Sequence, residues 1–419
     1  MSKINQNKFL IFLFVLLPIL SLFTGFILNE DLSTGGSKWD FELTWPVVKD
    51  YSNFNLFDAQ QLGGKEPRHF PFHYLILASI YNILNDQYLV RLFYLIFSLL
   101  MPIFLYLNLI KIYDFKKINI LIVSFSFLFF PYFRSSAIWS NAHLTALIFF
   151  LISNYYFLKV LSKNKLKDKL LNLLFLAFAT YTMQTYVILF SFYLFNYFTR
   201  EKIKIFFGLL LFCCILGIPP LSFLLFNERM LNLPITQDYF YTITNNFSII
   251  LFFLLFLMAN KLNLIICYNK LKSLKIIEIT LILLFFLAIV YNLNYDVLNS
   301  NLRGGGFFYK ISHFILKNNF IFIISFLIAT LLIYLIVKQD KNLIFIILLI
   351  NIMGLNYQIY QKYFEPLLLV MIFVLFKNIF VSNIFLKLKN VFFFYALVIF
   401  YFLLAFVNLY YGFSKNMTI

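Results

Sequence analysis

Charge is what this chain lacks. Asp, Glu, Lys and Arg together supply 12% of its 419 residues, against 62% hydrophobic residues and a mean hydropathy of +0.87. A soluble domain carries about 25% charged residues, so there are too few polar groups here to cover a globule with a wetted surface. The second absence is alternation. The apolar runs are continuous, without the in/out polarity of barrel strands, which excludes a transmembrane β-barrel. Cysteine is also scarce. Cys213, Cys214 and Cys267 lie in or beside apolar runs, without metal-ligand spacing or a second His/Cys pair nearby, and read as small buried hydrophobes. No small-residue cleavage site follows the first apolar run, so that run is kept as a span instead of a leader. There is no repeat of fixed period, no inverted pair of halves in the hydropathy, and no soluble domain at either end.

What is present are apolar runs near the ~20 residues that a hydrocarbon slab of about 30 Å requires of a helix. Backbone groups in lipid must bond within their own segment, so these runs are helices. The expected fold is all-α, a polytopic transmembrane bundle forming one integral membrane domain over residues 1–419. The formal charge of +17 comes from Lys and Arg in short clusters between the runs. Such clusters are topology signals, and they imply no nucleic-acid partner. Abundant Phe, Ile, Asn and Lys fits an A/T-biased coding sequence, which leaves part of the Lys and Asn excess without a functional reading.

Keeping every basic cluster in the cytoplasm gives one path of about 13 spans. Lys3 and Lys8 hold the N-terminus inside, the first span runs from Phe9 to Leu28, and residues 29–72 form the first extracytoplasmic loop. Spans Ile118 to Phe130 and Leu144 to Leu161 flank an outer turn, Pro131 to His143. Leu170 to Phe198 has basic residues at both ends, so it is read as two short spans turning near Thr182 to Gln184. A late span runs from Leu343 to Leu355, and the last from Val391 to Tyr411.

Seven of the seventeen acidic residues fall in the first outer loop: Glu30, Asp31, Asp40, Glu42, Asp50, Asp58 and Glu66. Most of them read as a solvated face. Asp40 and Glu42 differ, because the stretch Lys38-Trp39-Asp40-Phe41-Glu42 sets them between aromatic residues near the membrane surface. Partial desolvation there raises a carboxylate's proton affinity and suits it to act as a base towards a hydroxyl.

An acidic pair after the first span, then His69-Phe70-Pro71-Phe72-His73-Tyr74-Leu75, then Arg91-Leu92 opening the next span, resembles the start of the GT-C glycosyltransferases. More narrowly it is similar to the protein O-mannosyltransferase and aminoarabinose-transferase branch, which takes sugars from polyprenyl phosphates. The match covers about sixty residues. Gln361-Lys362-Tyr363-Phe364-Glu365-Pro366-Leu367 is compatible with a later motif of that superfamily. The resemblance implies an N-in, C-out bundle in a bacterial plasma membrane with an extracytoplasmic active site. Its donor would be a polyprenyl-phosphate sugar and its acceptor a glycan or lipid. Asp40 becomes the expected general base, with Glu42 as neighbour or substitute.

The leaving lipid phosphate needs fixed cations or donors. Candidates on the outer side are Arg68, His69, His73, Arg91, Arg134, Arg303, Lys310 and Lys362; Arg68, Arg91, Arg303 and Lys362 are the expected phosphate ligands, the arginines favoured by their two-pronged donor geometry. Arg91, opening a span, also fits a helix anchor that snorkels to the interface. Arg303 precedes Gly304-Gly305-Gly306, a candidate anion-binding concavity. His69, His73, His143 and Trp39 are assigned to substrate. No metal ligand set is read, and the second outer loop lacks the carboxylate that many relatives carry, which weakens the case for a divalent metal. No other cofactor is expected. The rival readings are a polysaccharide polymerase working on lipid-linked glycans and a transporter or flippase. A transporter is disfavoured because the ionisable residues lie at span ends and in loops.

Overall fold

The computed structural model describes residues 3–33, 36–53, 70–226, 239–258, 260–293, 306–338, 365, 367–375 and 377–411. Among these residues every regular element is helical. The chain divides into two compact units, Met1–Asn232 with Tyr401–Leu409, and Leu233–Phe400 with Tyr410–Ile419.

The first unit begins with α1 (Lys3–Ile27), α2 (Gly36–Asn53), α3 (Phe72–Leu84), α4 (Gln87–Ser98), α5 (Leu100–Ile112) and α6 (Lys117–Ser126). It continues with α7 (Pro131–Ile138), α8 (Ala142–Lys163), α9 (Leu166–Thr182), α10 (Ile188–Arg200) and α11 (Ile203–Phe226). The second unit holds α12 (Tyr239–Met258), α13 (Lys261–Lys272), α14 (Ile276–Tyr291), α15 (Phe307–Ile311), α16 (Phe320–Val337), α17 (Leu367–Val374) and α18 (Ile379–Leu386). The last helix is α19 (Leu388–Tyr411).

Among the described residues six helices are long and apolar enough to cross a membrane, or nine if each of three bent pairs is one span. The six are Gln87–Ile112, Ala142–Lys163, Ile203–Leu225, Tyr239–Met258, Phe320–Val337 and Leu388–Val407. The run Leu343 to Leu355 lies outside the described residues. Two stretches expected to be loops are helical instead. The first outer loop contains α2, which turns Phe41, Trp45 and Val48 inward at helical spacing. The turn expected after α6 contains α7, whose axis is bent by 68° from the preceding helix. Pro131 opens α7 at a position where its missing N–H costs nothing.

Asparagine punctuates these helices. Asn29, Asn85 and Asn164 all take positive φ, near +50°, a conformation Asn tolerates better than other side chains and that reverses the chain after a helix. Inside the first unit Asn also ties helices together. Asn154 on α8 donates to Asn108 Oδ1 on α5 at 3.0 Å and accepts from the Tyr193 hydroxyl on α10. Asn172 on α9 donates to the Ser153 carbonyl and hydroxyl on α8, and accepts from Tyr197. Without water, such side-chain amides and hydroxyls satisfy one another across helix interfaces.

The stretch read as two short spans is a hairpin. α9 ends at Thr182, a 3-10 turn covers Gln184–Val187, and α10 returns. Lys169 at the start of α9 meets Glu201 just past α10 at 2.7 Å, with both side chains almost fully buried. The cysteines are less uniform than expected. Cys267 is buried, Cys213 is half-buried, and Cys214 on α11 is exposed.

The hairpin pair carries a stability prediction. Glu201→Gln leaves the Lys169 ammonium buried without its counter-ion and lowers unfolding free energy by about 3–5 kcal/mol. Lys169→Met with Glu201→Leu recovers most of that loss, read as the melting temperature of the detergent-solubilised protein.

Candidate functional site

A buried polar cluster in the first unit forms where the end of α1, the start of α2, the start of α4, α7 and the start of α8 converge. It begins with the way α1 stops. Asn29 N–H donates to the Phe26 carbonyl at 3.1 Å, and Glu30 N–H reaches back to the Gly25 carbonyl at 2.8 Å. With Asn29 left-handed, this is the paired-bond reversal that closes many helices. It swings Glu30 back beside its own helix.

There Glu30 meets Arg134 of α7 in a two-pronged pair, Nε to Oε1 at 2.8 Å and a terminal nitrogen to Oε2 at 2.9 Å. Glu30 is 8% exposed and Arg134 1%. Arg134 also donates to the Ser21 hydroxyl and carbonyl, and its guanidinium carbon lies 4.7 Å from the Phe402 ring centre. The Glu30 carbonyl accepts from the Trp139 indole N–H at 2.9 Å. The pair is packed so tightly on α1 that a Cβ on Gly25 would lie 2.7 Å from both Arg134 and Glu30.

Asp31 does a different job. One of its oxygens accepts from the Ser33 amide and hydroxyl, and the other from the Lys38 amide at 2.8 Å. The Ser33 oxygen in turn accepts from the Ser37 amide. These bonds cover the unpaired amides at the start of α2, where helix polarity also favours a negative charge. The expectation that Glu30 and Asp31 belong to a solvated face is therefore wrong. Both are buried, because each has partners that repay its lost hydration.

Arg91 is buried as well, at 7% exposure, which overturns its reading as a snorkelling anchor. Its Nε donates to the Ile138 carbonyl at 3.0 Å and one terminal nitrogen to Asn29 Oδ1 at 3.1 Å. The guanidinium stacks over Trp139 with its carbon 3.9 Å from the ring centre, and lies 5.7 Å from the Phe41 ring. The other terminal nitrogen is buried without an acceptor. Among the described residues no carboxylate pairs with Arg91, whereas Arg134 is neutralised by Glu30.

His73 on α3 is held on both sides. Nε2 donates to the Ser140 carbonyl at 2.8 Å, and Nδ1 sits 2.9 Å from the Thr145 hydroxyl. The Tyr94 hydroxyl donates to the Asn141 carbonyl and also lies 2.8 Å from Thr145. Ser140 itself takes φ +49°, and its buried hydroxyl has no partner.

The residues chosen from sequence are brought together only in part. Arg91 and His73 are in the cluster. Asp40 is half-buried on α2, next in the chain to the inward-facing Phe41. Glu42 is exposed and paired at 3.9 Å with Lys38 on the same face. Trp39 is exposed, and His143 is half-buried in the first turn of α8. Arg68, His69, Arg303 and Lys362 lie outside the described residues. Glu30, Asp31 and Trp139 were missed as site residues, and Arg134, a candidate for the phosphate, is instead taken up by Glu30. The usable signal was a charged pair placed directly after an apolar helix, together with the lone arginine of the second outer stretch.

Among the described residues no three His, Cys, Asp or Glu side chains gather closely enough to hold a metal ion. Gly25→Ala is expected to cost about 1–3 kcal/mol through overpacking. Glu30→Gln, which strands the buried Arg134, is expected to cost about 3–5 kcal/mol. Thermal unfolding in detergent reads both, and Glu30→Gln should be the less stable of the two. No protein family, no curated protein and no solved structure matches this chain.

Proposed function

We propose that this protein is an integral-membrane glycosyltransferase that moves a sugar from a polyprenyl-phosphate donor to a glycan or lipid acceptor at the extracytoplasmic face. The observation that carries the reading is Arg91, a buried guanidinium that has no carboxylate partner among the described residues and one donor nitrogen unspent. A buried cation is costly unless an anion meets it, and a guanidinium fork suits a phosphate. The resemblance of the 40–92 stretch, Arg91 included, to the polyprenyl-phosphate-dependent branch implies the same chemistry.

In this mechanism the half-buried Asp40 carboxylate takes the proton of the acceptor hydroxyl. The hydroxyl oxygen attacks the anomeric carbon, the bond from that carbon to the phosphate oxygen breaks, and configuration inverts. Charge that develops on the departing lipid phosphate is met by the Arg91 nitrogen, already oriented by Ile138, Asn29 and Trp139. The base role goes to Asp40 because the resemblance implies it there, and its acidic neighbours have other work. The Glu30 carboxylate is taken up by Arg134 and that of Asp31 by the first turn of α2, while Glu42 sits in a surface pair.

Transfer of labelled sugar from a polyprenyl-phosphate donor in isolated membranes tests this. Asp40→Asn should lower the rate by about 10²–10⁴-fold at normal expression, the range for loss of a general base. Glu42→Gln should leave it within a few-fold. Normal transfer by Asp40→Asn removes the assigned base. Passage of substrate across vesicles with no covalent product would favour the transporter reading instead.

A further inference from the structure

We propose that the second unit holds a separate site for the phosphate of an anionic lipid headgroup, with Lys310 supplying the charge and Asn245 a neutral donor. The inference does not depend on the glycosyl-transfer reading. Asn245, on α12, is fully buried. Its Oδ1 accepts from the Gly306 amide at 3.1 Å, while its Nδ2 is buried with no acceptor. Gly306 is pressed onto α12 so closely that a Cβ there would sit 2.4 Å from Ile249 Cγ1. That contact fixes the start of α15 against Asn245.

Lys310 stands one turn further on, its amide donating to the Gly306 carbonyl at 3.1 Å. Residues four apart share a helix face, which places Lys310 on the side of α15 that Gly306 opens, one turn from the Gly306–Asn245 bond. Lys310 is half-buried, and among the described residues no carboxylate pairs with it. Burial pushes its ammonium below the ordinary lysine range, the mark of a cation short of hydration. The whole stretch 306–319 contains no acidic residue, while Lys310, His313 and Lys317 lie within it.

The neighbouring surface selects a lipid. α15 passes into a π-helical turn, Ser312–Leu316, that leaves Phe314, Ile315 and Leu316 exposed. A short helix with cations beside an exposed apolar edge suits the level of the headgroups, where the phosphate meets the cation and the chains lie on the apolar side. An uncharged or zwitterionic headgroup would leave the Lys310 charge without a net counter-ion.

Native mass spectrometry of the delipidated full-length protein, titrated with phosphatidylglycerol or phosphatidylcholine, tests the site. Wild type should prefer phosphatidylglycerol. Lys310→Gln should weaken that binding about fivefold, the effect of one interfacial cation, and Lys310→Arg should restore it. Asn245→Ala should weaken it as well. Inorganic phosphate at millimolar concentration should not displace the lipid; full displacement would assign the site to free phosphate and overturn the lipid. Equal binding of the two lipids, or an equal loss in Lys317→Gln, would reduce the effect to diffuse attraction and overturn the site.

Discussion

The Glu30–Arg134 pair is the constraint on which the head of the first unit depends. Either charge alone in that position would cost several kcal/mol, because little water reaches it. Together, with both carboxylate oxygens engaged and Ser21 taking two further donors, the two tie the end of α1 to α7, more than a hundred residues away in sequence. The Trp139 bond to the Glu30 carbonyl extends the tie to the residue that follows α7. Arg91 then has a fixed aromatic floor to rest on. Its unspent nitrogen is a consequence of that fixed surrounding.

Deeper in the helices the same problem is solved with neutral groups. Asn108, Asn154 and Asn172, with Ser153, Tyr193 and Tyr197, satisfy one another across four helices. The second unit uses the device between α12 and α16, where the Ser248 and Ser325 hydroxyls lie 2.8 Å apart. It recurs between α13 and α18, where Asn263 donates to the Phe380 carbonyl and accepts from Asn383. Hydrogen bonds of this kind select a partner face without the desolvation cost of a charge.

The helical class was legible because continuous apolar runs and the backbone's need for internal hydrogen bonds leave few alternatives. The hairpin at Leu170 to Phe198 was legible for a charge reason: basic residues at both ends forbid a single crossing. α2 was not, because polar residues mask the spacing of Phe41, Trp45 and Val48, and a loop rich in acid reads as solvated. Glu30 and Asp31 were misread for a related reason. Burial of a carboxylate is decided by partners distant in the chain, Arg134 for one and the fold of the next helix for the other. Asparagine, discounted as compositional bias, proved to be both helix stop and interhelical connector. Arg91 was found as a phosphate candidate, but its burial depended on Trp139 and Ile138, which no local pattern connects to it.

One further property follows from Gly25. Since any side chain at that position would collide with both members of the pair, sliding α1 along its axis by a residue would carry Thr24 or Phe26 into the contact. The glycine thus keys the first helix in depth and azimuth to the charged pair, so that the helix's setting and the pair's geometry are specified together.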